Sequence, residues 1–76
     1  MPRFYFDIQK GTELIPDADG LEIDSLEAAE KEATQAAIEL GRAWLPFARQ
    51  VQVRVRDEQG WCRLSLSIAL TVERMG

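Results

Sequence analysis

The chain contains no histidine. That removes the side chain most used for proton transfer near neutral pH, and the commonest metal ligand. It holds one cysteine, Cys62, so no internal disulfide can form. A disulfide-stapled secreted scaffold is excluded, and a cytoplasmic setting is expected. No stretch approaches the ~18 consecutive apolar residues of a membrane span. The opening MPRFYFDIQK lacks the ~7–15-residue apolar run of a signal peptide and carries an acid at Asp7. Glycine is scattered: Gly11, Gly20, Gly41 and Gly60 stand singly, so no glycine-rich phosphate loop is present. Positive charge is in the minority. A net charge of −4 argues against non-specific binding to nucleic acid or anionic lipid.

What is present is a short globular sequence. At 76 residues and 46% apolar it reads as one domain spanning residues 1–76. A chain this short buries only about 60% of its unfolded surface. Its stability is expected on the order of 4–11 kcal/mol, from ~0.05–0.15 kcal/mol per residue.

Residues 3–9 alternate, with Phe4, Phe6 and Ile8 on one face and Arg3, Tyr5, Asp7 and Gln9 on the other. Period two with aromatic residues predicts a strand. Lys10-Gly11 is a turn, and Thr12 to Ile15 can return as a short second strand, with Pro16 at its end. A helix follows. Asp24 or Ser25 can cap it, and with Asp24 as cap Glu27 completes a capping box. Leu26, Ala29, Ala33, Ala36, Ala37, Leu40 and Trp44 recur at helical spacing, and Pro46 stops the helix.

Residues 50–56 alternate again, with Val51, Val53 and Val55 on one face. Residues 61–72 alternate throughout, with Cys62, Leu64, Leu66, Ile68, Leu70 and Val72 together. Opposed residues of an antiparallel hairpin share a face. A three-residue loop would set Val55 against Arg63, so the pattern favours a four-residue loop, Asp57 to Gly60. That loop pairs Val55 with Cys62, Val53 with Leu64, Val51 with Leu66 and Gln50 with Ser67. It also puts Arg56 opposite Trp61. The fold expected is α+β: a two-layer β-β-α-β-β unit, an antiparallel sheet with one helix on one face.

Chemistry-bearing motifs are few. In PDADG, placing Gly20 at position 6 of a calcium loop puts Ile15 and Leu26 where ligands are required. The stretch therefore reads as a turn. Cys62, alone on an apolar face, is expected to be a buried small hydrophobe. The helix acids Glu27, Glu30, Glu32 and Glu39 read as a solvated face. No metal, no cofactor and no catalytic activity are expected.

One asymmetry stands out. Arg3, Arg54, Arg56 and Arg63 fall opposite the apolar face, with Tyr5 and Trp61 among them. The ordinary reading is a solvated face; the alternatives are a protein contact or a surface for single-stranded nucleic acid. A second candidate is an association edge formed by Ile68, Leu70 and Val72 with the helix-end residues Trp44 and Phe47. The final strand outruns its hairpin partner, and either the first strand or a second copy of the chain would cover it.

The opening MPRFYFDI, the stretch PDADGLEIDSLEAAEKEA, the hairpin VRVRDEQG and the closing LSLSIALTVER together resemble a family of small bacterial proteins of unknown function. Its members begin Met-Pro-Arg, then aromatics and Phe-Asp. The resemblance implies the strand-strand-helix-strand-strand order and no activity. More distantly, DGL followed by LEAAE is similar to the layout of HicB-type antitoxins. The function expected is association without catalysis, with itself or a protein partner and not with a membrane. A nucleic-acid-binding or antitoxin-like module is the alternative.

Overall fold

A computed structural model describes residues 1–45 and 47–76. The elements run β1 (Arg3–Lys10), β2 (Glu13–Ile15), β3 (Leu21–Glu22), α1 (Leu26–Trp44), β4 (Gln50–Arg56) and β5 (Cys62–Ala69). They form the expected α+β sandwich, one antiparallel sheet in the order β2-β1-β4-β5 with a single helix across it. The two-residue β3 was not expected from the sequence. It pairs with the start of β1, Phe4 opposite Leu21.

Ser25, not Asp24, caps the helix: its Oγ accepts a hydrogen bond from the Ala28 amide at 3.1 Å. With the cap at Ser25, Ala28 stands at the third helical position, and Glu27 forms no capping box. The helix ends at Trp44, with Leu45 as its C-cap donating to the Gly41 carbonyl. The expected stop at Pro46 lies outside the described residues. Ala29, Ala33, Ala37 and Gly41 form the buried stripe of α1. Such small side chains let the helix lie close on the valines of β4. Val51, Val53 and Val55 are fully buried, and Phe4 and Ile23 close one end of the core. Leu64, Leu66 and Ile68 of β5 face the helix but stay only half-buried, since among the described residues no strand lies beyond them.

The hairpin differs from the expected register. The loop is the shorter one, Glu58 to Gly60, closed by the Asp57 amide donating to the Trp61 carbonyl. Gly60 takes φ +89°, and its amide donates to the Asp57 carbonyl. This is a type I turn followed by a left-handed residue. The face conflict that argued against this loop is removed by a bulge. Arg56 pairs with Cys62 but Val55 pairs with Leu64, leaving Arg63 unpaired between them. The valines therefore meet different partners from those expected: Val53 opposite Leu66, Val51 opposite Ile68, and Gln50 opposite Ala69.

Two further corrections follow. Cys62 shares the side of Arg56 and is exposed, not buried with the leucines. β5 ends at Ala69, not at Val72: Ala69 stands opposite Gln50, the first residue of β4, and beyond that pair one bond remains, from the Leu70 amide to the Arg49 carbonyl.

Candidate functional site: a clamped open face and an uncovered edge

Tyr5 and Asp7 on β1 stand directly opposite Arg56 and Arg54 on β4, on the face away from the helix. Arg56 is held on every side. Its Nε donates to Asp7 Oδ2 at 2.9 Å and its Nη2 to Asp7 Oδ1 at 3.2 Å. A further bond runs from the same nitrogen to the Asp17 carbonyl. The guanidinium lies 4.6 Å from the centre of the Tyr5 ring. Its cation–π partner is thus Tyr5, not Trp61, because the shorter loop sets Trp61 opposite Asp57 instead of Arg56, where it is 70% exposed.

These contacts set the ionisation of the cluster. The hydrogen bonds from Arg56 hold the Asp7 carboxyl below its ordinary value, against the opposing effect of partial burial. The same pairing raises Arg56. At Asp17 burial pushes the carboxyl up, but amide donors from Phe6, Gly20 and Asp19 outweigh it, and the net shift is downward.

Asp17 explains the PDADG stretch. β2 covers one end of the outer edge of β1 and β3 covers the other. Between them the chain turns away, and the Phe6 amide would lack a strand partner. Asp17 Oδ2 accepts that amide at 3.1 Å, while Oδ1 accepts the Asp19 and Gly20 amides. The Asp17 amide in turn donates to Asp7 Oδ1 at 2.9 Å. A carboxylate thus takes the place of a missing length of strand. Gly20 completes the turn at φ +72°, and a Cβ there would meet the Tyr5 ring at 2.8 Å and Arg3 Cγ at 2.9 Å.

The other arginines of the expected face are also engaged. Arg3 pairs with Glu22 at 3.2 Å and donates to the Asp19 carbonyl. Arg63 lies 3.5 Å from Asp57 at the hairpin end. Of Arg3, Arg54, Arg56 and Arg63, only Arg54 makes no ion pair among the described residues; its Nη2 is 3.4 Å from Gln52 Oε1. The six residues form two places rather than one. Tyr5, Arg54 and Arg56 lie mid-sheet, while Trp61 and Arg63 lie at the hairpin, with Arg3 beside the Asp57–Gln59 turn.

The association edge divides as well. Trp44 and Phe47 line a shallow groove with Lys10, Gly11, Thr12 and Ala48, and Lys10 Nζ sits 4.6 Å over the Trp44 ring. That places them on the β1 side of the helix end. Ile68 instead packs under Gly41, and Leu70 and Val72 follow it out of the sheet, 44% and 74% exposed. β1 does not cover β5, because it pairs with β4 on the opposite side. Among the described residues no strand pairs with the outer edge of β5. The Leu70 amide donates to the Arg49 carbonyl across the hairpin. Backbone groups alternate in direction along an antiparallel strand, so those of Ser65, Ser67 and Ala69 point outward. No sequence signal gave this asymmetry of edges, since strand order is not written in periodicity.

No curated protein and no solved structure matches the chain. The profile of the family described as Domain of unknown function (DUF6894) matches residues 3–69. Covering nearly the whole chain, that match makes the protein a member of this family of unknown function.

Proposed function

We propose that this is a small non-enzymatic domain that works by protein association, with a second copy of itself as its first partner. The observation that carries this reading is the contrast between the two sheet edges. The β1 edge is sealed by β2, β3 and the Asp17 carboxylate. The β5 edge carries neither proline nor an inward-pointing charge, and its one device that discourages pairing, the bulge at Arg63, stands at its start and leaves Leu64 to Ala69 regular.

The surface area supports it. The chain exposes 5599 Å², whereas a compact monomer of its mass, 8.6 kDa, would expose about 4,700 Å². The excess, roughly 900 Å², is close to the ~800 Å² that each partner contributes to a standard interface. Part of it belongs to the exposed residues after β5.

Sedimentation equilibrium over a wide concentration range tests the reading. A mass rising from monomer to dimer supports it, and a monomer mass at every concentration rejects it. The nucleic-acid alternative draws no support from the open face, because three of its four arginines already hold carboxylates. Titration with a labelled oligonucleotide at low salt is expected to show no binding.

A further inference from the structure

Resting on that reading, we infer that two copies join β5 to β5 about a two-fold axis at Leu66, making one continuous sheet with both helices on the same side.

The register follows from the backbone. Outward groups belong to the odd-numbered residues Ser65, Ser67 and Ala69. Antiparallel pairing across a two-fold joins outward groups to outward groups, so odd residues meet odd residues and even meet even. Leu64, Leu66 and Ile68 of both copies are thereby placed on the helix side without further condition. Every residue satisfies this rule as a centre, and the two that overlap β5 with its copy most fully are Ser65 and Leu66. A centre at Ser65 opposes Cys62 to Ile68, which lie on different sides of the sheet because of the bulge. A centre at Leu66 opposes the regular stretch from Leu64 to Ile68 to its own copy and leaves the bulged Arg63 at the margin. Leu66 then meets its own copy, Leu64 meets Ile68, Ser65 meets Ser67 and Arg63 meets Ala69. No like charges face each other, and every opposed pair on the helix side is apolar.

The helix fits the same axis. α1 starts beside Pro2, through the Ile23 amide bond to its carbonyl, and ends beside Lys10. It therefore runs with β1, and hence with β5. Gly41 lies level with Ile68. Stepping back to Leu66 covers about 7 Å of strand, which is roughly four helical residues and reaches Ala37; helical side chains lean toward the N-terminus, so the side chain that covers that level comes from the next residue, Ile38. Ile38 is an apolar residue on the outer flank of the helix, 44% exposed, three positions before Gly41. The two-fold brings it against its own copy. α1 packs on both β4 and β5. With strands ~4.8 Å apart, the two helix axes come to about 10 Å from each other, a normal packing distance.

The test combines mass with register. Ser67→Pro removes an amide that points outward, so the β4–β5 ladder stays intact while the edge can no longer donate. Ile38→Glu places a charge at the helix contact without touching the sheet. Both variants are expected to sediment as folded monomers at concentrations where the unmodified chain is a dimer. In a Cys62→Ser background, Ser65→Cys and Ser67→Cys chains should cross-link when mixed under mild oxidation, and Ser65→Cys alone should not. A dimer that survives both Ser67→Pro and Ile38→Glu overturns this geometry while leaving association standing. Cross-linking of Ser65→Cys to itself overturns the Leu66 centre. A monomer at all concentrations overturns both the geometry and the reading it rests on.

Discussion

Replacing Asp17 by alanine strips the acceptor from three backbone amides at once. The Phe6 amide is part-buried in β1 and has no strand beside it. Leaving such a donor unpaired costs about 1–3 kcal/mol. The Asp19 amide is exposed and the Gly20 amide part-buried; both sit in a turn that can relax toward water, so each loses only about 0.5–1 kcal/mol. The sum, roughly 2–5 kcal/mol, is a large share of a total on the order of 4–11 kcal/mol. At ~4–8 °C per kcal/mol for a domain of this size, Tm falls by about 8–40 °C. Asp17→Asn is the sharper variant. Both carboxylate oxygens are in use, Oδ2 on Phe6 and Oδ1 on the loop, and an amide keeps only one acceptor. Its loss should fall between wild type and alanine. Urea unfolding followed by tryptophan fluorescence and circular dichroism reads both, with m unchanged. A loss below ~0.5 kcal/mol for alanine would refute the claim that this carboxylate replaces a strand.

Four further outcomes are expected. Asp7→Asn weakens a bidentate ion pair that is only partly exposed, and should cost roughly 1–2 kcal/mol at neutral pH in urea titrations. Because Asp7 and Asp17 titrate below their ordinary values when folded, the stability they contribute is complete above the unfolded pKa of about 3.9 and is lost as pH falls through the lower folded values. Urea titrations at a series of pH values should therefore show the wild-type advantage over both asparagine variants constant near neutrality and shrinking below about pH 4. Gly41→Ala should stabilise by about 0.5–1 kcal/mol, since its new Cβ would meet Leu45 and Ile68 at ordinary contact distances and alanine is the better helix former; a lowered Tm would contradict this. Gly20→Ala should cost more than Gly60→Ala: both take positive φ, but only Gly20 has the Tyr5 ring and Arg3 against it, and equal losses on thermal melting would reject the close approach.

The faces of β1 and β4 and the helix were legible from local patterns, whereas the two-residue β3 was not. Phe4, Phe6 and Ile8 share a face because side chains alternate along a strand, whatever its neighbours. The alanine stripe of α1 follows equally from helical spacing, and both readings hold in the structure. Between Val55 and Leu64 the pattern misled, because twelve alternating residues read as one uninterrupted strand. The turn at Asp57–Gly60 instead selected the shorter loop, and the bulge at Arg63 restored the face. Cys62 changed sides in consequence, and Arg56 found Tyr5 in place of Trp61.

Sequence by itself determined the α+β class, the helix with its small-residue face, and the strand faces, since each depends on residues a few positions apart. Only the tertiary structure decided the strand order, the role of Asp17 at the gap in β1, the neutralisation of Arg3, Arg56 and Arg63, and the uncovered edge of β5. Those features join residues as far apart as Asp7 and Arg56. They are set by which chain segments come to lie side by side, and the local alternation of side chains carries no information about that.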